Sequence, residues 1–579
     1  MNYIKNFLEL IKKTFIILEL YKKKYLIFFI LLLSIFSSLF EILTIGSLLP
    51  LIDIIFSSSK YLNNEYFLAI INYFNLNQNE INLFIIVSFG ILLFFSYLFR
   101  IFLTCLNSYV INDARLELDK NIFSKTLNKD YKYLIDTNSS VFLGNMEKSD
   151  LANGAVFSLI SFISSMVLIV PIIIFILYLN YKVALFFGAT IFVVYVFLIF
   201  GIKNKIRNIS STLSKATNLK YKNIVECNDN IKEIKIRNLN NFFLNKISIP
   251  FLSLRNARIA SEIINSIPSQ IIIFSTAIII LIAIYFFSID ENGISNNIQI
   301  LAAIIFAAQR MLPSIQSIYV SYVSLKQVEY PLNDVTKILQ SSIIDENINS
   351  FNKVSINNFI EIKNLSFKHN ENLEFIFENL YAKFEKNKIY ALSGISGVGK
   401  TTFFDLLIGL LSPIKGEFYS DSNKFKIYRN NYWQSKICHI PQNSLLTDTS
   451  ILENVTYGLD LKKINIESVK SACKIAEIEN LIKNSENGLN TIIGERGLKI
   501  SGGERQRLTI AKAIYANKDI YLFDEATNAI DEDTEMKIYK NLRNALKNKI
   551  IILISHNDKV QQFCDHIYEI KNKKIEILK

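Results

Sequence analysis

Six mostly apolar stretches, each near the roughly 20 residues that carry a helix across bilayer hydrocarbon, restrict this chain more than any other feature. They lie near Leu26–Leu49, Leu83–Leu103, Ala155–Leu179, Val183–Phe200, Ile267–Phe287 and Ile298–Val320. In lipid no water satisfies the backbone, so each stretch has to close its own hydrogen bonds as a helix. The 579-residue chain is 51% hydrophobic with mean hydropathy +0.28, too apolar and too long for one soluble domain.

Loop charge gives these spans a direction. Residues 57–79 hold one cation, Lys60, the turn after span three only Lys182, and 288–297 none. By contrast 104–154 carry Arg115, Lys120, Lys125, Lys129 and Lys132, and 201–266 carry Lys203, Lys205, Arg207, Lys232, Lys235, Arg237, Arg255 and Arg258. Positive loops stay inside, so both termini and both long loops are expected in the cytosol. The net charge of +12 belongs to these flanks; no basic-aromatic recognition pattern accompanies it, and nucleic acid is not an expected partner. The five cysteines and four histidines are dispersed, with no zinc-ligand spacing.

Apolar positions at heptad-like spacing, as from Ile224 to Phe243, predict that the long loops continue the transmembrane helices and that something docks at their tips. The external stretch Tyr61–Phe74 predicts a short interfacial helix. Residues 1–24 mix apolar positions with Lys5, Lys12, Lys13, Lys22, Lys23 and Lys24, which predicts an amphipathic helix on the membrane surface. The apolar run from Tyr25 is too long for a signal core. Fewer than 30 residues precede it, leaving no room there for a peptidase domain. From Lys326 to Asn358 the apolar runs stop and Asn, Ser and Asp accumulate. The expected organisation is therefore a helical membrane domain over 1–325, a linker over 326–358 and, where strands then alternate with helices, an α/β domain with a largely parallel sheet over 359–579.

Within that last part, Gly394-Ile-Ser-Gly-Val-Gly-Lys-Thr-Thr402 fits the phosphate-loop pattern, between an apolar strand, Ile389–Ser393, and a helical pattern from Phe403. Gly394, Ser396, Gly397, Val398, Gly399, Lys400, Thr401 and Thr402 form the expected ATP-binding set. The glycines let backbone N–H groups close on phosphate oxygens, Lys400 neutralises the outer phosphates, and Thr401 is a ligand for Mg²⁺. Tyr521-Leu-Phe-Asp524-Glu525 is an apolar strand ending in two carboxylates: Asp524 is directed to Mg²⁺ and Glu525 is placed to polarise the attacking water.

Ile500-Ser-Gly-Gly-Glu504, followed by Arg505-Gln-Arg507, resembles the signature of ATP-binding-cassette transporters. Pro441-Gln442, Asn528-Ala-Ile-Asp531 and Ser555-His556 match that family's Q-loop, D-loop and switch histidine in order, and Thr491–Gly497 is similar to the segment that meets the membrane domain in exporters. The resemblance covers essentially the whole chain and implies a half-transporter with ATP and Mg²⁺ as cofactors. It implies that Glu525, His556, Lys400 and Gln442 are catalytic, that Gln442 also approaches Mg²⁺, and that Ser501, Gly502, Gly503 and Asp531 complete the ATP site of a second copy. Lys400, Gln442, Ser501, Asp524, Glu525 and His556 are all present, which favours a homodimer. Two departures stand out: Glu504 replaces the usual glutamine, and His369 replaces the aromatic residue that stacks on adenine after strand Ile360–Phe367. His439 and Trp433 are expected to pack.

The same resemblance implies an exporter or flippase in the bacterial cytoplasmic membrane. Tyr97–Arg100, Ile231–Asn238 and Gln309–Ser314 look similar to lipid-linked oligosaccharide flippases. The alternatives are a general lipid, multidrug or peptide exporter and an ATP-gated membrane protein on the same scaffold. Arg100 and Arg310, within or near the ends of spans two and six, are the candidate substrate residues: an arginine at such depth costs about 2.5–3.5 kcal/mol and faces a cavity, pairs with an acid or reaches the interface. Glu41 is the candidate acid.

Overall fold

The computed structural model describes residues 2–55, 78–179, 181–289, 293–341, 353–370, 372–555 and 557–579. The expected interfacial helix at Tyr61–Phe74, part of the junction and His556 lie outside the described residues. Contacts divide the chain into two compact units: residues 1–129 with 134–343, and residues 130–133 with 344–579.

The first unit is helical. After α1 (Asn2–Leu20) come α2 (Lys24–Ile55), α3 (Gln78–Leu127), the short α4 (Tyr131–Asp136), α5 (Ser139–Leu179), α6 (Tyr181–Asp229), the short α7 (Ile231–Ile236), α8 (Asn240–Ile289), α9 (Gly293–Gln327) and α10 (Glu329–Gln340). Among the described residues α2, α3, α5, α8 and α9 contain stretches long and apolar enough to cross a membrane. The remaining apolar run, Val183–Phe200, opens α6, where several side chains lie outside the described set. Helices α3 and α8 have 50 residues each, hence roughly 75 Å at 1.5 Å per residue. That is more than twice the ~30 Å of hydrocarbon, so they carry the bundle well beyond a bilayer.

Three expectations are refined here. The helical pattern from Ile224 to Phe243 is broken by α7, because Asn238 takes a left-handed φ of +53° and Leu239 N–H closes onto Ile234 O at 3.0 Å. That is a Schellman ending with asparagine in the place glycine usually takes. The apolar face of α1 packs on protein: Leu10, Ile17, Leu18 and Tyr21 join one core with Val110 and Leu118 of α3 and Ala152 and Val156 of α5. The expected linker, in turn, begins with a helix of the membrane unit, since α10 buries Leu332, Val335 and Leu339 in that same core. Lys148 of α5, only 3% exposed, pairs with Asp334 of α10 at 2.6 Å, and Ser214 of α6 donates to the same carboxylate at 2.7 Å. Sequence composition shows the polar residues of α10 but not the acid's buried partners.

The second unit has two sheets. A six-stranded sheet runs in the order β10-β9-β3-β8-β7-β6, with β3 (Lys388–Ser393), β6 (Ile437–Ile440), β7 (Ile520–Asp524), β8 (Ile550–Ile554) and β9 (His566–Lys571) parallel and β10 (Lys574–Ile577) antiparallel at the edge. The parallel strands β7 and β8 are buried at every position, as strands covered on both faces must be. A separate four-stranded antiparallel sheet, β2-β1-β4-β5, uses β1 (Phe359–Phe367), β2 (Phe377–Glu385), β4 (Lys415–Ser420) and β5 (Asn423–Phe425). The alternating strand-helix pattern indicates only the parallel sheet.

Candidate nucleotide site

Register across the large sheet builds the site. Leu392 pairs with Ile554, and Ile554 with Asp524, so the ends of β3 and β7 stand level on either side of β8. The phosphate loop follows β3, and both motifs open on the carboxyl edge, where parallel α/β sheets place their ligands. In the loop Gly394 has φ +142° and Gly399 has φ +108°; a Cβ on Gly399 would sit 2.6 Å from Ile376 Cγ2. The loop therefore requires glycine twice, for backbone conformation and for closeness to β2. Lys400 begins α11 (Lys400–Ile408), is 8% exposed, and donates from Nζ to Gly394 O at 2.8 Å and Ile395 O at 3.3 Å. Its ammonium is thereby held inside the loop it closes.

Asp524 ends β7 and is also 8% exposed. Burial pushes its pKa up; the Thr401 hydroxyl and the Lys400 charge favour the carboxylate in the opposite direction. The two residues assigned to Mg²⁺ by sequence, Thr401 and Asp524, are thus in contact, and this donor set of hydroxyl and carboxylate oxygens suits a hard cation that keeps waters and phosphates as its other ligands. Asp405, one turn into α11, is pushed up to about 6 by burial and by the neighbouring Asp524.

Glu525 has a left-handed φ of +48°, strained for a residue with a side chain, and its N–H donates to Ile554 O at 3.2 Å. Its carboxylate accepts from Gln442 Nε2 at 2.9 Å and from Asn528 Nδ2 at 2.8 Å. Sequence reading places Gln442 near the water and the metal. Asn528 as a second hand on Glu525 is visible only in space, although its place three residues on is the available signal.

The signature loop caps α12 (Gly502–Ala516). Ser501 accepts from Glu504 N–H, while its own N–H donates to the Glu504 carboxylate at 2.8 Å, a complete capping box. Ser501 Oγ also donates to that carboxylate at 2.7 Å. Burial raises the pKa of Glu504, but these two donors outweigh it and leave the carboxyl below its ordinary value. Glutamate at this position therefore forms the cap that the usual glutamine would form. Gly503 is tight against the segment after Glu525, its notional Cβ 3.0 Å from Ala529 O, and Gln506 Oε1 accepts from Ala529 N–H at 2.8 Å. Asp531 caps α13 (Glu532–Ala545) by accepting from Thr534 N–H at 3.0 Å.

His369 is exposed, its ring edge-on to Phe367 at 5.2 Å. Lys132, at the tip of the first long loop, donates to the His369 carbonyl and to Asn370 Oδ1, and Asp130 accepts from Tyr428 at 2.6 Å and pairs with Arg429 at 3.0 Å. Trp433 is fully buried, donating from Nε1 to Leu407 O at 2.7 Å. His439 lies edge-on to Phe404 at 6.3 Å but is exposed on β6. Of the two residues expected to pack, Trp433 is the buried one.

In the membrane unit Arg100 pairs with one buried acid, and Arg310 stands against Tyr97, one turn before Arg100. Glu41 of α2 is 2% exposed and lies 4.0 Å from Arg100 Nη1 of α3; the charge of Arg310 also acts on it. Arg310 is 6% exposed, its guanidinium 4.7 Å from the Tyr97 ring and 5.0 Å from the Phe306 ring.

Comparison with known proteins matches residues 27–313 to the "ABC transporter transmembrane region" family and 377–528 to the "ABC transporter" family. Curated relatives include the multidrug resistance protein pgp-1 of Caenorhabditis elegans, 33% identical over 42% of this chain and 18% of its own length. Another is a multidrug resistance ABC transporter ATP-binding and permease protein of Lactococcus lactis, 34% identical over 37% of each chain. The alpha-hemolysin translocation ATP-binding protein HlyB of Escherichia coli O157:H7 is 33% identical over 34% of this chain and 28% of its own. The chain thus matches well under half the length of these relatives. A solved bacterial Atm1-family ABC exporter with ATP bound has the same fold, with TM-score 0.75 and 18% identity over 94% of both chains.

Proposed function

The chain belongs to the ABC transporters, with an exporter-type membrane region and one nucleotide-binding domain in a single polypeptide, and from that premise we propose that it is an ATP-driven exporter of an anionic amphiphile, in first place a polyprenyl-diphosphate-linked oligosaccharide, across the bacterial cytoplasmic membrane. The observation that carries the catalytic part is the convergence of Gln442 and Asn528 on Glu525, directly after Asp524. Bound Mg²⁺–ATP would supply the phosphoanhydride and the charge that activates it. Lys400 and the loop N–H groups neutralise phosphate, Thr401 and Asp524 hold the metal with Gln442 alongside, and Glu525, oriented by its two amide donors, takes the attacking water's proton. His556 is the expected donor to the γ-phosphate. One chain has one phosphate loop and one signature, so a second copy, a homodimer, completes each site.

Coupling requires that the nucleotide favour one arrangement of the membrane helices over another. Residues 130–133 belong to the second compact unit, where Lys132 donates to the His369 carbonyl and Asp130 pairs with Arg429. The substrate class rests on Arg100 and Arg310, buried or half-buried cations inside the membrane region. A general hydrophobic exporter is the second reading, favoured by the aromatic rings against Arg310.

The test is reconstitution in liposomes with ATP, comparing movement of a polyprenyl-diphosphate glycan with that of phospholipids and drugs. Movement of the diphosphate lipid, impaired in Arg310→Ala and partly kept in Arg310→Lys, supports the proposal. Transport of drugs or phospholipid alone selects the second reading, and ATP hydrolysis without any transport selects a gated membrane protein.

A further inference from the structure

A cluster in the membrane unit has unequal charge. Arg100 and Arg310 bring two positive charges and Glu41 one negative: Glu41 lies 4.0 Å from Arg100, Arg310 stands 4.7 Å from the Tyr97 ring one turn before Arg100, and among the described residues no other carboxylate pairs with Arg100 and none with Arg310. The pairing is also loose. Glu41 Oε1 is buried without a hydrogen-bond partner, and its ion pair with Arg100 spans 4.0 Å. An ion pair that serves only to pin helices closes to about 2.7–2.9 Å with shared hydrogens, because a loose buried pair does not recover the several kcal/mol lost on removing each ion from water. The surroundings are polar on the same face of α2: Ser34, Ser37 and Ser38 are buried within two turns of Glu41, and the Ser37 hydroxyl has no partner either. Tyr97, on the same face of α3 as Arg100, lies 4.7 Å from the Arg310 guanidinium, which Phe306 of α9 also flanks at 5.0 Å, so rings from both helices hold Arg310 beside α3.

We propose that Glu41 is a selectivity residue: it leaves the Arg100–Arg310 cluster one net positive charge, and this sets how much negative charge a bound headgroup carries. This rests on the anionic-amphiphile reading above and adds to it the residue that decides between headgroups. Glu41 holds Arg100 loosely on one side, and a phosphate oxygen completes the cluster from the other, taking the bidentate donors that guanidinium offers. Removing the carboxylate adds a positive charge, which strengthens binding of any anionic headgroup and most that of the one with the greatest charge.

The experiment uses the full-length protein in nanodiscs and measures binding of undecaprenyl diphosphate, undecaprenyl monophosphate and phosphatidylethanolamine. Glu41→Gln is expected to tighten diphosphate binding by about fivefold or more, the lower end of a typical coupling between sites, to tighten monophosphate binding less, and to leave phosphatidylethanolamine unchanged. Adding Arg310→Ala should abolish the gain. Melting and gel filtration establish that each variant is folded; where Glu41→Gln is not, Glu41→Asp, which draws the carboxylate back by one methylene, should show the same order of effects at smaller size. If the wild type binds the diphosphate lipid and folded Glu41→Gln binds it equally or more weakly, Glu41 is a structural pin and the selectivity proposal fails while the substrate reading stands. Should neither protein bind either phosphate lipid, both fail. Binding by Glu41→Gln alone would support the proposal, with Glu41 then excluding the lipid from the wild type.

Discussion

The two units hold their key polar groups in opposite ways. In the nucleotide-binding unit the key groups are held by neighbours in sequence or by adjacent strand ends: Ser501 by Glu504, Asp531 by Thr534, Glu525 by Asn528, Lys400 by the loop it follows. In the membrane unit the buried charges meet partners on other helices, Lys148 with Asp334 and Glu41 with Arg100. A local device keeps its geometry when the rest of the protein moves. A device assembled between helices changes when they shift.

The sharpest test of the local side is Glu525→Gln. Hydrolysis should fall by about 10²-fold or more, as for loss of a positioned base, with ATP binding retained in an equilibrium binding assay; turnover near wild type would mean that another group positions the water. The assembled side is broken by Lys148→Ala, which strands Asp334 among buried residues. Loss of a buried partner costs about 3–5 kcal/mol, and since the Asp334 side chain is 35% exposed a smaller figure, roughly 2 kcal/mol, is expected. A double-mutant cycle with Asp334→Asn in thermal melts gives the pair term, and its absence would show that Lys148 matters only for packing.

Gln442, a donor to Glu525, tests whether hydrolysis and transport can be separated at the site. Gln442→Ala, and Glu495→Ala in the segment before the signature, should reduce transport several-fold more than basal hydrolysis; equal losses would make them catalytic or structural. The smallest effect concerns Asp405. Its folded pKa, about 6, lies above the ordinary carboxyl value. The folded state therefore holds the extra proton, and the stabilisation this brings is fully present below about pH 4 and lost as pH rises through 6. Asp405→Asn should raise the melting temperature modestly above pH 6 and lose that advantage near pH 4. A pH-independent difference would assign the effect to hydrogen bonding.

How much could be read beforehand follows the same division. The phosphate loop, the Asp524–Glu525 strand end and the signature cap are legible because each depends on residue types within a few positions, glycine where φ is left-handed, serine and glutamate where a helix starts. The antiparallel sheet was not, since β1 joins not only its neighbour β2 but also β4, about 50 to 60 residues further along the chain. Nor was the helix of the membrane unit at the start of the expected linker: its polar composition hides a face whose burial is decided by what packs there.

Sequence by itself determined which segments are apolar enough to enter lipid, where the loop cations accumulate, and which motif has the spacing of a phosphate loop, because a chain in hydrocarbon has to be helical and a phosphate loop has to have its glycines. Only tertiary structure decided that Asn528 shares Glu525 with Gln442, that Asp405 shares its site with Asp524, and that Arg100 pairs with Glu41 while Arg310, more than 200 residues further on, lies against Tyr97 of the same helix as Arg100. Such groupings depend on register between strands and on the facing of helices, and a charge's meaning in low dielectric is set by its distance from the next one, which spacing along the chain does not encode.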